Sequence, residues 1–205
     1  FSLFSIFAAS EDPVYGENGM IVSTSKQASQ AGIEILKKGG NAIDAAVAVG
    51  FALAVTSSSN GNIGGGGFLV GVMNDGETFS LDHREKAPRR SQRNMFLNED
   101  GDVINGMSLY SRASSGVPGT VDGLIKVLAD YGSGKISLQQ VLAPAIKLAG
   151  RGFHLSHYEA ERFNMYRQFF ERNEAAQRIF IKKNGELWEK DDLFKQIDLE
   201  KTLKR

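Results

Sequence analysis

The 205-residue chain contains no cysteine, which excludes disulfide scaffolds, thiolate metal sites and cysteine nucleophiles together, and leaves the redox compartment without a marker. It has no excess of charge either: 24 basic and 24 acidic residues give a formal net charge of zero. No global field draws such a chain onto nucleic acid or an anionic membrane, so no nucleic-acid partner is expected. Long apolar runs are also missing. The longest beyond the N-terminus, Ala45 to Val55, falls short of the ~20 residues a bilayer span requires, and no membrane span is expected. Proline is scarce, at 4 residues. What is present is a 41% hydrophobic composition, enough for a sizeable core, and 23 glycines without any collagen-like period. Those glycines should therefore be local backbone devices.

Both ends read as cut. Phe1 to Ala9 is an apolar stretch followed by the small residues Ala8, Ala9 and Ser10 ahead of Glu11, the pattern of a secretory signal-peptide remnant over residues 1–10. An ordinary hydrophobic N-terminal strand is the alternative. Residues 11–205 then form one region with no internal linker. At the far end Asp198 is expected to cap a helix carrying Leu199, Thr202 and Leu203, within which the chain stops, as part of a longer polypeptide would.

Helix and strand signals alternate in between. Ala28, Ala31, Ile35 and Leu36 fall at helical spacing and end at Gly39-Gly40. Asn41 with Asp44 predicts an N-cap for a helix over 42–55 that is small and apolar on all sides, and so belongs inside. Phe68 to Met73, the turn Asn74-Asp75-Gly76 and Thr78 to Arg84 predict a β-hairpin entered through Gly64 to Gly67. Pro118 and Thr120 introduce a helix over 121–131 stopped by Gly132. Ser137 with Gln140 opens another through Leu148, which Pro144 should kink, and Ser156 with Glu159 opens a third. That third helix carries an aromatic stripe of Phe163, Tyr166, Phe169 and Phe170, expected to be core, and an Asn184-Gly185 turn joins strand candidates at Ile179 to Ile181 and Leu187-Trp188. Mixed α/β (α+β) is the fold-class reading.

Few residues suggest chemistry by themselves. Gly64 to Gly67 imply either a place where another group approaches the main chain, a demand for positive φ, or simply a tight turn. They are not a phosphate loop, because an apolar strand follows instead of Gly-Lys-Ser/Thr and a helix. Strict alternation puts Phe79, Leu81 and His83 on one face of their strand and Ser80, Asp82 and Arg84 on the other. Arg84 thus stands on the polar face at a strand end, where its planar fork could hold a carboxylate through two parallel hydrogen bonds. Beside Asp82 and Glu85 it could equally be a solvated ion pair. His154 and His157 lie three apart, but no third ligand is near, and no metal site is expected. Ser57-Ser58-Ser59 has hydroxyls without a recognisable base, so no catalytic residue is assigned. The loop Asn98 to Gly116 reads as a surface connection.

Four segments in order, Gly39-Gly40-Asn41-Ala42-Ile43-Asp44-Ala45-Ala46-Val47-Ala48, Gly61-Asn62-Ile63-Gly64-Gly65-Gly66-Gly67-Phe68, Asp82-His83-Arg84-Glu85 with Ala87-Pro88, and Gly116-Val117-Pro118-Gly119-Thr120-Val121, resemble the N-terminal part of the γ-glutamyltransferase (γ-glutamyl transpeptidase) large subunit. The resemblance runs from about Asn18 to the end. It implies a periplasmic or secreted precursor of the N-terminal nucleophile hydrolase type, with an αββα sandwich only part of which is present. It also implies self-cleavage into a large and a small subunit, with no cofactor. The nucleophilic Thr would lie on the small subunit, and Arg84 would match the Arg that binds the α-carboxylate of a γ-glutamyl substrate such as glutathione. A glutaryl or cephalosporin-type acylase, or an inactive fragment of a broken gene, are the alternatives. Three positions depart from the family pattern: Ser57-Ser58 stand where His-Pro is usual, and His83 where Phe or Ala is commoner.

Overall fold

The computed structural model describes residues 13–60 and 62–205, so the signal-peptide reading of residues 1–10 lies outside the described residues. Helix α1 (Lys26–Lys37) starts where the Ser25 side chain accepts from the Ala28 N–H, and Gly39, with φ 89°, provides the left-handed exit. Helix α2 (Ala42–Thr56) opens on a capping box: Asn41 Oδ1 accepts from the Ile43 and Asp44 N–H groups, and Asp44 Oδ2 accepts from the Asn41 N–H at 2.8 Å. Its uniform apolarity has the expected consequence. Ala45, Val47, Ala48, Phe51, Ala52 and Val55 are all buried.

Strands β1 (Phe68–Val72) and β2 (Thr78–Asp82) pair antiparallel, with Phe68 opposite Asp82 and Val72 opposite Thr78. The turn is closed by the Met73 N–H donating to Glu77 O at 2.7 Å. Leu69, Phe79 and Leu81 face the helices, and the Phe79 ring stacks on Tyr131 with centroids 3.9 Å apart and planes 8° from parallel. The opposite face carries Phe68, Val70 and Val72, each about 70% exposed or more. Within 98–116, read as a plain connection, lie a short helix α3 (Met107–Tyr110) and a 3-10 turn at Arg112–Ser114, neither with a buried residue.

Helix α4 (Thr120–Tyr131) stops at Gly132, and α5 (Leu138–Arg151) opens on the Ser137/Gln140 capping box. Helix α5 stays one continuous element through buried Pro144, although that residue's missing N–H removes one i→i−4 bond. Helices α1, α4 and α5 pack against α2. At Gly50 the approach is so close that a Cβ would lie 2.9 Å from Leu124 Cδ1 of α4.

The last third departs most from expectation. Strand β3 (Phe153–His154) is followed by α6 (His157–Met165), capped by Ser156 and Glu159 as expected, but the helix breaks at Tyr166 before α7 (Arg167–Phe170). Of its aromatic stripe only Phe163 is buried, against Phe194 at 4.9 Å and Phe180 at 5.3 Å; Tyr166 is exposed. Of the strand candidate at Ile179 to Ile181, Ile179 and Phe180 instead end α8 (Glu174–Phe180), whose N-terminus Asn173 caps by accepting from the Ala176 N–H, and Ile181 is the extended residue that follows. Leu187-Trp188 is not a strand either. The Asn164 side chain takes both backbone groups of Trp188, donating to its carbonyl at 2.8 Å and accepting from its N–H at 2.9 Å. The turn at Asn184-Gly185 is present, with Gly185 at φ 77°. It is β4 (Leu193–Phe194) that pairs, with β3. Helix α9 (Ile197–Lys204) begins one residue before Asp198, which lies in its first turn and bonds Lys201 at 3.2 Å rather than capping; the residue ahead of the helix is Gln196, whose amide donates to Val55 O at 2.8 Å. Among the described residues no helix is long and apolar enough to cross a membrane.

Candidate functional site

The hairpin ladder continues one residue past β2: the His83 N–H donates to Gly67 O at 3.0 Å, and the Gly67 N–H to His83 O at 3.4 Å. Three residues later Lys86 and Val117 exchange N–H···O bonds of 3.1 and 2.7 Å. Both the Gly119 and the Thr120 N–H groups, at the start of α4, donate to Gly65 O at 2.9 and 3.1 Å. The segment from His83 to Lys86 therefore threads a slot between the glycine loop and the N-terminus of α4.

The slot explains the glycines. A Cβ on Gly66 would lie 2.6 Å from His83 O and 2.8 Å from both Arg84 Cα and Glu85 N. On the other wall a Cβ at Gly119 would overlap the His83 carbonyl, and one at Gly123 would stand 2.5 Å from His83 Cβ. None of Gly64 to Gly67 has positive φ. Of the possibilities left open by sequence, positive φ is not used; a turn is present, closed by the Gly65 N–H donating to Asn62 O at 3.3 Å, and close approach is realised by the chain's own strand end.

Arg84 sits on the outward face of the hairpin, as the alternation requires. Its side chain is 59% exposed, its Nε donates to Glu85 Oε2 at 2.9 Å, and its guanidinium carbon is 5.8 Å from the Phe68 ring centroid. The solvated ion pair is thus formed, with Glu85. Asp82 takes no part in it: its Oδ1 accepts from the Arg84 backbone N–H at 3.0 Å, which holds the strand end in shape. Glu85 is held below its ordinary pKa of 4.5, first by its own backbone N–H and then by the hydrogen bond from Arg84. Among the described residues neither Nη nitrogen of Arg84 has a protein partner, so the end-on edge of the fork can still take a carboxylate. His83, the departure from pattern, points the other way, with its ring against Gly67 and Gly123 and its buried Nδ1 without a partner among the described residues.

The other candidates separate. His154 Nδ1 lies 2.7 Å from Asp191 O, whereas His157 Nε2 pairs with Glu161 at 3.2 Å. Ser57 ends α2, and the Asn60 N–H donates back to Ser57 O at 3.0 Å. Sequence reasoning assigned no task to Gly119 or Gly123. A Pro-Gly-Thr helix start with a second glycine one turn on is the signal that marks that wall.

The family model for gamma-glutamyltranspeptidase matches residues 28–205. The chain belongs to the gamma-glutamyltranspeptidase family. It is similar to the glutathione hydrolase proenzymes of Pseudomonas sp. (strain A14), at 43% identity over 99% of this chain and 35% of that protein, and of Escherichia coli (strain K12), at 42% over 93% and 33%. The chain spans about a third of the length of these curated relatives. The crystal structure of Helicobacter pylori gamma-glutamyltranspeptidase superposes with a TM-score of 0.89 at 43% identity, covering 94% of this chain and 55% of that one. The fold is accordingly of the N-terminal nucleophile hydrolase type, and this chain holds part of it.

Proposed function

We propose that this chain forms the N-terminal portion, over residues 11–205, of the large subunit of a γ-glutamyltransferase that hydrolyses glutathione or passes its γ-glutamyl group to an amino acid or peptide. The enzyme would act in the periplasm or outside the cell as a heterodimer with its own small subunit. Its chemistry is acyl transfer. A Thr hydroxyl on the small subunit attacks the γ-glutamyl carbonyl, with the free N-terminal amine taking its proton; the C–N bond breaks, the leaving amine takes a proton, and an ester is left on Thr. Water or an acceptor amine then attacks the ester and restores the hydroxyl.

The part of this chain in that reaction is to hold the substrate. Arg84 binds the α-carboxylate through its Nη edge, while Asp82, Gly66 and Gly119 fix the backbone from which it projects. The observation that carries this assignment is a strand end walled by glycines on both sides and presenting an Arg fork with an unused edge. One charged hydrogen bond contributes about 1.5–3 kcal/mol, so Arg84→Ala in the autoprocessed enzyme is expected to raise KM for a γ-glutamyl anilide about tenfold or more, with a much smaller change in kcat. Equal KM values for the two proteins refute the assignment.

A further inference from the structure

A second place in the molecule has the chemistry of a binding site. The turn at Ser58-Ser59 and the helices α6 and α7 enclose a cleft of about 350 Å³, at the small end of the range for small-molecule sites. Phe163, Phe169, Phe170 and Phe180 supply its apolar wall, and Arg162 of α6 its charge. The break at Tyr166 sets this up: it ends α6 and leaves α7 to bring Phe169 and Phe170 to the same cleft as Phe163.

Arg162 is partly buried, and its Nε is buried with no hydrogen-bond partner among the described residues. Its guanidinium carbon lies 4.8 Å from the Tyr166 ring centroid and 5.8 Å from that of Tyr158, so two aromatic rings hold it. Among the described residues no carboxylate pairs with it. The acids on the neighbouring turns are committed elsewhere: Glu159 accepts from the Ser156 N–H and hydroxyl, Glu161 faces His157, and Glu171 pairs with Arg167. The contrast with Arg167 and Arg178, each ion-paired four residues away along a helix, is direct. A buried guanidinium nitrogen with an unmet donor is destabilising in isolation and is relieved by an anion that accepts from it.

We propose that this cleft binds a small carboxylate carrying an aromatic or branched apolar body, anchored by Arg162 and assisted by the Ser58 and Ser59 hydroxyls. The apolar wall decides the class. One cation beside four phenylalanines cannot compensate the desolvation of a small dianion, whereas a monocarboxylate places its charge on Arg162 and its body on the rings. The site goes beyond the γ-glutamyl reading and does not depend on it.

Phenylacetate is the probe. It is titrated into the whole processed enzyme by isothermal calorimetry. Saturation-transfer NMR of phenylacetate on the whole processed enzyme is the second readout. Saturable binding is expected, at least about tenfold weaker for the neutral isostere phenylacetamide and for Arg162→Gln, and not displaced by equimolar inorganic phosphate. Equal affinity for acid and amide, or no saturable signal in either readout, overturns the proposal. Should Arg162→Gln fail to fold, the acid-against-amide comparison on the unaltered protein still decides.

Discussion

Replacing Gly66 by Ala tests whether the glycine loop is there to make room for the Arg84 strand end. The new Cβ would lie 2.6 Å from His83 O and 2.8 Å from Arg84 Cα and Glu85 N, about 0.6–0.8 Å inside ordinary contact, and all three atoms belong to backbone that no rotamer change can move aside. Gly66 does not have positive φ, so the cost is purely steric. Overpacking of this kind costs about 1–3 kcal/mol. For a chain of this length that corresponds to a fall in melting temperature of roughly 2–12 °C. The displaced atoms include Arg84 Cα, so KM for a γ-glutamyl anilide should rise as well, since a shift of about 1 Å in a positioning element can cost up to ~100-fold. Gly64→Ala in the same loop is the control: its Cβ meets only the end of the Asn62 side chain, at 3.2 Å, which can swing away. Scanning calorimetry and steady-state kinetics on both variants decide the matter. If Gly66→Ala and Gly64→Ala melt together and share one KM, the slot does not position Arg84.

Asp44 is fully buried and accepts from the Asn41 N–H at 2.8 Å and the Ser133 N–H at 3.3 Å, so Asp44→Ala strands two donors; a loss of about 2–4 kcal/mol is expected in urea denaturation, and a loss below about 1 kcal/mol contradicts the account. Glu85 has a lowered pKa, so any stability it contributes is present above its ordinary 4.5 and is lost as pH falls through the lowered value. NMR titration of the Glu85 carboxyl should give a midpoint below 4.5 that moves only part of the way back in Arg84→Ala, because its own backbone N–H is the larger cause; a midpoint at or above 4.5 in the unaltered chain is inconsistent with the pairing.

What could be read from sequence was local. The boxes at Asn41/Asp44, Ser137/Gln140 and Ser156/Glu159 all form, because a cap is a bond between residues three apart. The side of the hairpin on which Arg84 emerges follows from period-two alternation alone. What escaped was set by distant partners. Asn164 takes the backbone groups of Trp188 24 residues away and so keeps it out of a sheet, and Gln196 reaches back to Val55. The purpose of Gly119 and Gly123 is to clear His83, more than 30 residues earlier, a relation no local pattern carries. The ion pair of Arg84 with Glu85 was legible; the choice of Glu85 over Asp82 was decided by the Asp82 carboxylate turning to the Arg84 N–H.

The two faces of the hairpin join these observations. Leu69, Phe79 and Leu81 are satisfied by the helices, whereas Phe68, Val70 and Val72 expose a contiguous apolar row on the other side. Two strands with one apolar face open to water are marginal by themselves, and a row of this kind marks a surface built to be covered. In an αββα sandwich the cover is the second sheet. Arg84 emerges on this same face, with its guanidinium near the Phe68 ring. On the proposed reading, the seam between the two sheets is therefore where the carboxylate clamp and the nucleophile meet. The 59% exposure of Arg84 then describes one lip of a cleft, and closing the second layer over it strengthens each of its hydrogen bonds to substrate by excluding water.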